Sequence, residues 1–429
     1  MKKLFPFFLI TLVISYCGKK DKDVTPEVFK SLKPIKGEYI VVLKEKSIVN
    51  DGKIKNPSRT NQYKLNSIKR KNKKAKVEQV LKKYSVNIDT TKYVYTDIVV
   101  GFKAKLTDDQ ARLLRADADV DQVYNDFEIK LRNPMQQSEI IIERNPMQQD
   151  FVDTVRWITC AVNLTGGPRD GSTKETVVWV VDTGVDSTHP DLNVVNDPIL
   201  AFSVFPGDSP FIDGNGHGTH VAGIIGALEN EIGSTGVSSG AKIIPVKVME
   251  ANGRGTWSYL LAGIEHIARY NSDNDVVNLS LGANDVDLCK QSSVDFRVIR
   301  EALRDLAKEG THVVIASGNE SADAANSLPG CINFNNIYTV AAMDCDSTFK
   351  QCADYANFGK PVDWVAVGTN VFSTYPGGVY RLMSGTSMAT AVVSGIIHAN
   401  GGEPLEGGKI QCPLLTTPGT PRYKIAKIR

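Results

Sequence analysis

Three short segments carry an acid, an imidazole and a hydroxyl in one chain order: Val-Val-Asp182-Thr-Gly, Gly-His217-Gly-Thr-His-Val-Ala-Gly and Ser-Gly-Thr-Ser387-Met-Ala. A serine hydroxyl is a poor nucleophile at neutral pH. It needs a neutral histidine to take its proton and a carboxylate to hold that histidine in the useful tautomer. Together the segments read as a peptide-bond hydrolase.

Each segment also lies where an element of structure would present it. The run 177–181, Val-Val-Trp-Val-Val, is β-branched and aromatic like a buried strand, so Asp182 stands at a strand's carboxyl end before the turn Thr183-Gly184. His217 lies among Gly214, Gly216 and Gly218, and the stretch 219–228 spaces Val221, Ala222, Ile224 and Ile225 as a core-facing helix does. Ser387 precedes the helix-like stretch 388–399, which puts its hydroxyl at a helix N-terminus, where free N–H groups face developing negative charge. Taken singly, each segment has a plainer reading. Asp-Thr-Gly is a common turn, Gly-Asn-Gly-His-Gly loosely imitates a phosphate loop but lacks the Lys-Ser or Lys-Thr pair, and Gly-Thr-Ser caps helices. Their joint order favours the hydrolase.

These residues resemble the subtilisin-like serine protease family over about 157–401. The resemblance implies that Ile-Ala-Ser-Gly-Asn319-Glu320 supplies a side-chain amide to an oxyanion hole. It further implies two rails that pair with an extended substrate, one containing Gly253, Arg254 and Gly255, the other Ser280, Leu281 and Gly282. Glu320 is expected near the primary specificity pocket. The family usually has Pro and then often His where this chain has Ala391 and Val392, a change a helix start tolerates. No cofactor is required for such chemistry. A structural calcium ion is left open, because Asp363 is similar in position to one ligand in the proteinase K-like branch. An α/β-hydrolase esterase runs its triad in the order Ser, acid, His, the reverse of this chain. An inactive homologue acting as a binding module is the remaining alternative.

The strand-like runs 243–248, 276–281, 312–316 and 338–342 alternate with helix-like stretches, clearest over 257–270 and 294–309. That alternation predicts an α/β fold with a mostly parallel sheet between helices, the active site at the strands' carboxyl ends. The 429 residues exceed what one core usually organises. Ahead of the catalytic region, strands over 38–43, 93–102 and 120–129 and helices over 77–84 and 106–116 suggest a small α+β, ferredoxin-like unit. Thr107-Asp-Asp-Gln110 has the form of a capping box. The unit resembles the propeptide that precedes subtilisin-like domains, which implies a folding template and inhibitor. The chain thus divides into 1–17, a leader; 18–35, a tether; 36–131, the propeptide; 132–150, a linker; and 151–429, the catalytic domain.

Apolar content of 42% and charge of 23% are those of ordinary soluble proteins. The net charge of +2 conceals a split: residues 18–150 carry 28 Lys+Arg against 19 Asp+Glu, and 151–429 carry 20 against 29. Opposite signs favour association of the two units. Met1-Lys2-Lys3 followed by the apolar stretch 4–16 is too short to span a bilayer and reads as an export signal. Cys17 directly after it resembles a bacterial lipoprotein site, though Tyr16 departs from the small residue usual there; an ordinary secretory cut nearby is the alternative. An exported chain with six further cysteines, Cys160, Cys289, Cys331, Cys345, Cys352 and Cys412, is expected to form disulfides, with Cys345–Cys352 across one short loop as the first pair. The basic run 69–76 has no interleaved aromatics. It is expected to be a solvated loop before the propeptide helix, with no role in binding nucleic acid. Arg-Asn-Pro-Met-Gln-Gln occurs twice, at 132–137 and 144–149, and proline with polar residues keeps such segments extended. Self-cleavage is expected somewhere in 131–151, with a duplicated linker as the alternative.

Overall fold

The computed structural model describes residues 32–45, 59–89, 93–131, 159–284, 289, 296–345, 351–412 and 422–429, with side chains from 69 onward in the second stretch. The expected leader, Cys17 and both copies of the repeat lie outside the described residues.

The first unit contains β1 (Pro34–Leu43), α1 (Arg59–Lys83), β2 (Val94–Tyr95), β3 (Gly101–Lys105), α2 (Asp108–Arg115) and β4 (Val120–Leu131). β1 runs antiparallel between β3 and β4, and β2 extends the sheet beyond β3. Val41, Val77, Leu81, Phe102, Leu114 and Val123 form its core. The capping box is present: Gln110 N–H donates to Thr107 Oγ1 at 3.2 Å, and Thr107 N–H donates to Gln110 Oε1 at 3.0 Å. Two expectations need correction. The basic run 69–76 lies inside α1, because lysine and arginine are good helix formers; its lysines keep access to water and Arg70 pairs with Asp97, while Val77, Val80 and Leu81 bury. The strand expected over 93–102 is two short strands, since 96–99 bend away to donate their N–H groups elsewhere.

The second unit opens with α3 (Cys160–Asn163), β5 (Arg169–Asp170), β6 (Val178–Asp182), β7 (Phe202–Ser203), α4 (His217–Gly226), β8 (Ser238–Ser239) and β9 (Ile243–Lys247). It continues through β10 (Arg254–Thr256), α5 (Trp257–Tyr270), β11 (Val276–Leu279), β12 (Leu281–Asn284), α6 (Arg297–Lys308), β13 (His312–Ala316), β14 (Ser327–Leu328) and β15 (Ile337–Met343). Then follow β16 (Val362–Val367), β17 (Val371–Tyr375), β18 (Val379–Met383), α7 (Thr386–Asn400), β19 (Leu405–Gln411) and β20 (Arg422–Lys427). Nine strands form one sheet in the order β19-β20-β16-β15-β13-β11-β6-β9-β7, parallel except for β19 at the edge. β6 shows why its sequence is apolar without a break. Val178 and Val180 pack with α4 and α7 on one face, while Trp179 and Val181 pack with α5 and α6 on the other.

The run 276–281 is not one strand. β11 stays in the main sheet beside β6 and β13, the chain turns at Ser280, and β12 leaves to pair with β4 and β14. The disulfides are Cys160–Cys345, Cys289–Cys331 and Cys352–Cys412. The expected Cys345–Cys352 pair does not form: Cys352 lies opposite Met343 in an antiparallel bridge, two residues out of step with Cys345. Each instead meets a cysteine remote in sequence, with Cα atoms 6.1 and 5.5 Å apart.

Candidate active site

Asp182 ends β6 and His217 begins α4, as their sequence positions imply. The imidazole Nδ1 lies 2.9 Å from both carboxylate oxygens of Asp182, with both residues buried. Such close approach requires Gly218, where an added Cβ would stand 2.1 Å from the carbonyl oxygen of Gly184. Nδ1 therefore carries the proton that it donates to Asp182, which leaves Nε2 as the lone-pair nitrogen. Nε2 is buried and has no hydrogen-bond partner. Burial is the largest influence on this ring and favours the neutral form. The charge and hydrogen bond of Asp182, with the further charge of Asp213, outweigh it, so His217 titrates above the ordinary histidine value.

Asp213, not singled out from the sequence, braces the surroundings of this pair. Its Oδ1 accepts from Thr183 Oγ1 and Gly216 N–H, both at 2.8 Å, and from Asn215 N–H at 3.1 Å. Its Oδ2 accepts from the N–H and Oγ1 of Thr219, both at 2.8 Å. One carboxylate thus ties the Asp182 turn to both flanks of His217. An Asp opening a Gly-Asn-Gly segment is the available signal, but ordinary turns share it.

Ser387 lies in the first turn of α7, completely buried. Its Oγ donates to the carbonyl of Ser280 at 3.3 Å, and Ser280 Oγ donates to the carbonyl of Ser387 at 3.2 Å. The acid and base are thus brought into contact, whereas the hydroxyl is bonded to Ser280 and not to His217 Nε2. Asn319 approaches from beyond β13. Its Oδ1 accepts from Thr386 N–H and Oγ1 at 2.9 and 2.8 Å, which turns the amide nitrogen toward Gly385. A point where Gly385 would carry a Cβ is 3.3 Å from Asn319 Nδ2 and 3.7 Å from the Ser387 nitrogen. Asn319 Nδ2 and the Ser387 nitrogen thus both lie close to Gly385. Glu320, next in sequence, accepts from Asn357 Nδ2 at 2.7 Å.

The two rails hold the first unit's last strand between them. Arg254, Gly255 and Thr256 of β10 pair antiparallel with Lys130, Ile129 and Glu128, and Leu281 and Gly282 of β12 pair with Leu131 and Lys130. Leu131 N–H donates to the carbonyl of Gly253 at 2.9 Å. Gly253 adopts φ +77°, and a Cβ there would stand 3.2 Å from Leu131 Cδ1. Ser280 alone of the six expected rail residues is outside the ladder; its carbonyl accepts from Ser387 Oγ.

Away from the cleft the two units exchange carboxylates. Asp126 of β4 accepts from Ser258 N–H and Oγ at 3.1 and 2.5 Å, satisfying open donors at the start of α5. Glu265 of α5 accepts from the N–H groups of Thr96, Asp97, Ile98 and Val99 at 3.0, 2.6, 2.9 and 2.8 Å. Burial, followed by the charge of Asp97, raises Glu265 to about 7. Asp97 itself is held by Arg70 Nη1 at 3.0 Å and by Arg269 Nη2 at 2.6 Å.

Asp363, at the start of β16, accepts from Thr339 N–H at 2.8 Å. Among the described residues no three acidic, histidine or cysteine side chains gather to hold a metal ion, so calcium at Asp363 would draw its other ligands from backbone carbonyls. No described helix is long and apolar enough to cross a membrane.

Comparison with known proteins places both units in known families. The subtilase family pattern matches residues 173–399, and the peptidase inhibitor I9 pattern matches 38–132. Subtilisin BL of Lederbergia lenta is 40% identical over 243 residues, 56% of this chain and 82% of that one. M-protease of Shouchella clausii strain KSM-K16 is 38% identical over 256 residues, 59% of this chain and 62% of that one. A crystal structure of a cold adapted subtilisin-like serine proteinase aligns at 31% identity and TM-score 0.45, covering 53% of this chain and 75% of the other. With a catalytic region matched over more than half of its length and an I9 inhibitor unit in front of it, this chain belongs to the subtilase family of serine endopeptidases.

Proposed function

We propose that the chain is an exported zymogen that cuts its own propeptide away and then hydrolyses peptide bonds in other proteins. The observation that carries this is the state of His217: Nδ1 is fixed on Asp182, while Nε2 is buried without a partner. A buried nitrogen lone pair lacking a donor is unusual, and a serine hydroxyl is the donor the family chemistry requires. Ser387 exchanges the Ser280 carbonyl for Nε2 as substrate enters, consistent with hydrogen bonds that tighten only in the reacting complex.

In this reading Ser387 Oγ attacks the scissile carbonyl and His217 Nε2 takes its proton. Asp182 keeps the imidazolium oriented. Asn319 Nδ2 and Ser387 N–H hold the oxyanion, and His217 then gives its proton to the leaving amine. Water, deprotonated by the same nitrogen, then attacks the acyl-enzyme carbonyl, and the Ser387 Oγ–acyl bond breaks as His217 returns the proton to Oγ. No step needs a cofactor, and calcium at Asp363 would serve stability only. Gly253, Arg254, Gly255, Leu281 and Gly282 hold an extended substrate as they hold the strand 128–131. The propeptide acts as an inhibitor because it occupies that cleft, and its self-cleavage falls within 131–151. If Cys17 is lipidated, the anchor leaves with the propeptide and the mature enzyme is released.

Replacing Ser387 by Ala tests the assignment. Turnover should fall by about 10⁶-fold, the loss measured in subtilisin, and the chain should accumulate uncut. A Ser387→Ala chain that processes itself and hydrolyses casein at the parent rate would refute it. In the parent enzyme, a fluorophosphonate probe should label Ser387.

A further inference from the structure

Gly253 and Gly255 strip their rail to bare backbone, so Arg254 is the one side chain that the Gly-Arg-Gly segment offers to a bound strand. Across the ladder it faces Lys130, a like charge. Its guanidinium leans to the diagonal neighbour instead: Nη1 donates to Glu128 Oε2 at 3.0 Å. Glu128 and Lys130 lie on the same face of β4, two residues apart, and Lys130 Nζ lies 3.3 Å from Glu128 Oε1. One carboxylate is therefore shared by two cations. Without it, Lys130 would stand across from Arg254 uncompensated, and like charges directly opposite are unfavourable. Ile129 and Leu131, on the other face, are buried apolar side chains, so the charges of this stretch lie on the face that Arg254 meets.

From this geometry we infer that Arg254 is a specificity residue, selecting substrates with an acidic residue at the position occupied by Glu128, one residue before the apolar side chain that lies opposite Gly255. The inference rests on the proposed use of these rails for substrate and adds the charge that they prefer. The Arg254 side chain is 56% exposed and that of Glu128 is 38% exposed. The effect is accordingly that of a solvent-screened pair, about two- to fivefold in kcat/KM, and it weakens with salt.

The test uses enzyme processed from the full chain and three quenched-fluorescent peptides of the chain's own sequence 126–137, carrying Glu, Gln or Lys at position 128. The parent enzyme should cleave them in the order Glu, Gln, Lys, with the spread collapsing in 1 M NaCl. Arg254→Ser should cleave all three at similar rates, and Arg254→Glu should reverse the order. A purely structural role for Arg254 would lower all three rates together without reordering them. The inference is overturned if the parent enzyme treats the Glu and Lys peptides alike, or if Arg254→Ser keeps the preference. Failure of the parent enzyme to cleave any of the three would instead strike the proposed function of the cleft.

Discussion

Leu131 N–H donates to the carbonyl of Gly253 at 2.9 Å, so the inhibitor strand reaches into the cleft, held by the rail proposed to hold substrates. Leu131 also pairs with Leu281. The next residue back along that rail is Ser280, whose carbonyl holds the Ser387 hydroxyl. The bond one residue beyond Leu131 is therefore the predicted site of self-cleavage. Sequencing of the mature N-terminus should find Asn133, from a cut after Arg132 in the first copy of the repeat. A mature chain beginning after Arg144 would show that the second copy is presented instead and that the strand shifts before cleavage.

On the proposed mechanism, the environment of His217 should set the pH dependence of the reaction. Burial opposes the imidazolium, but Asp182 and Asp213 outweigh it and raise the pKa above its ordinary value of 6.5. The reaction needs the neutral ring as base, so kcat/KM should fall as pH drops through a midpoint above 6.5. Replacing Asp182 by Asn removes the largest opposing influence and leaves burial dominant. The midpoint should then move down while the rate falls by about 10⁴-fold. A pH–rate profile of both enzymes decides this; an unchanged midpoint would mean that another group limits the acid limb.

Asn319 is held through its oxygen by Thr386, so the amide nitrogen is oriented before substrate arrives. Asn319→Leu should keep KM nearly constant and lower kcat by about 10²- to 10³-fold, the effect of removing such a donor in subtilisin. Thr386→Val leaves the amide in place but removes one of its two tethers. It should cost far less, and comparable losses in the two variants would point to distortion of α7 rather than to a lost oxyanion contact.

The parts of this molecule legible in the sequence are those where local pattern and tertiary role agree. Trp257–Tyr270 shows its helical stripe and forms that helix to the residue, and Thr107 caps α2 as its box implies. Asp182, His217 and Ser387 each stand at the junction of a turn and an apolar element, which is where a sheet with crossover helices gathers chemistry. What could not be read is what depends on a partner remote in sequence. Cys352 pairs 60 residues away and Cys160 pairs 185 away, so loop length misleads. The turn at Ser280 divides a continuous apolar run because β12 finds a partner in the other unit. Glu265 is the sharpest case: a glutamate inside a buried helix face has no local explanation until four N–H groups about 170 positions upstream come to meet it.

That same glutamate should make the inhibitor's grip depend on pH. In the complex Glu265 is raised from an ordinary 4.5 to about 7, chiefly by burial and then by Asp97, and Asp126 is raised by burial as well. Binding therefore takes up protons. The stabilisation is complete below about 4.5 and is lost as pH rises through about 7. After self-cleavage, the still-bound propeptide should release faster at pH 8 than at pH 5, seen as a shorter lag before peptide hydrolysis begins. Glu265→Gln removes the titrating group while keeping the side chain's shape, though its amide NH₂ meets N–H donors with no acceptor. That variant should shorten the lag at every pH and flatten its pH dependence, with Asp126 accounting for what remains. A lag that lengthens from pH 5 to pH 8 in the parent enzyme would show that the interface is governed by charges other than these two buried carboxylates.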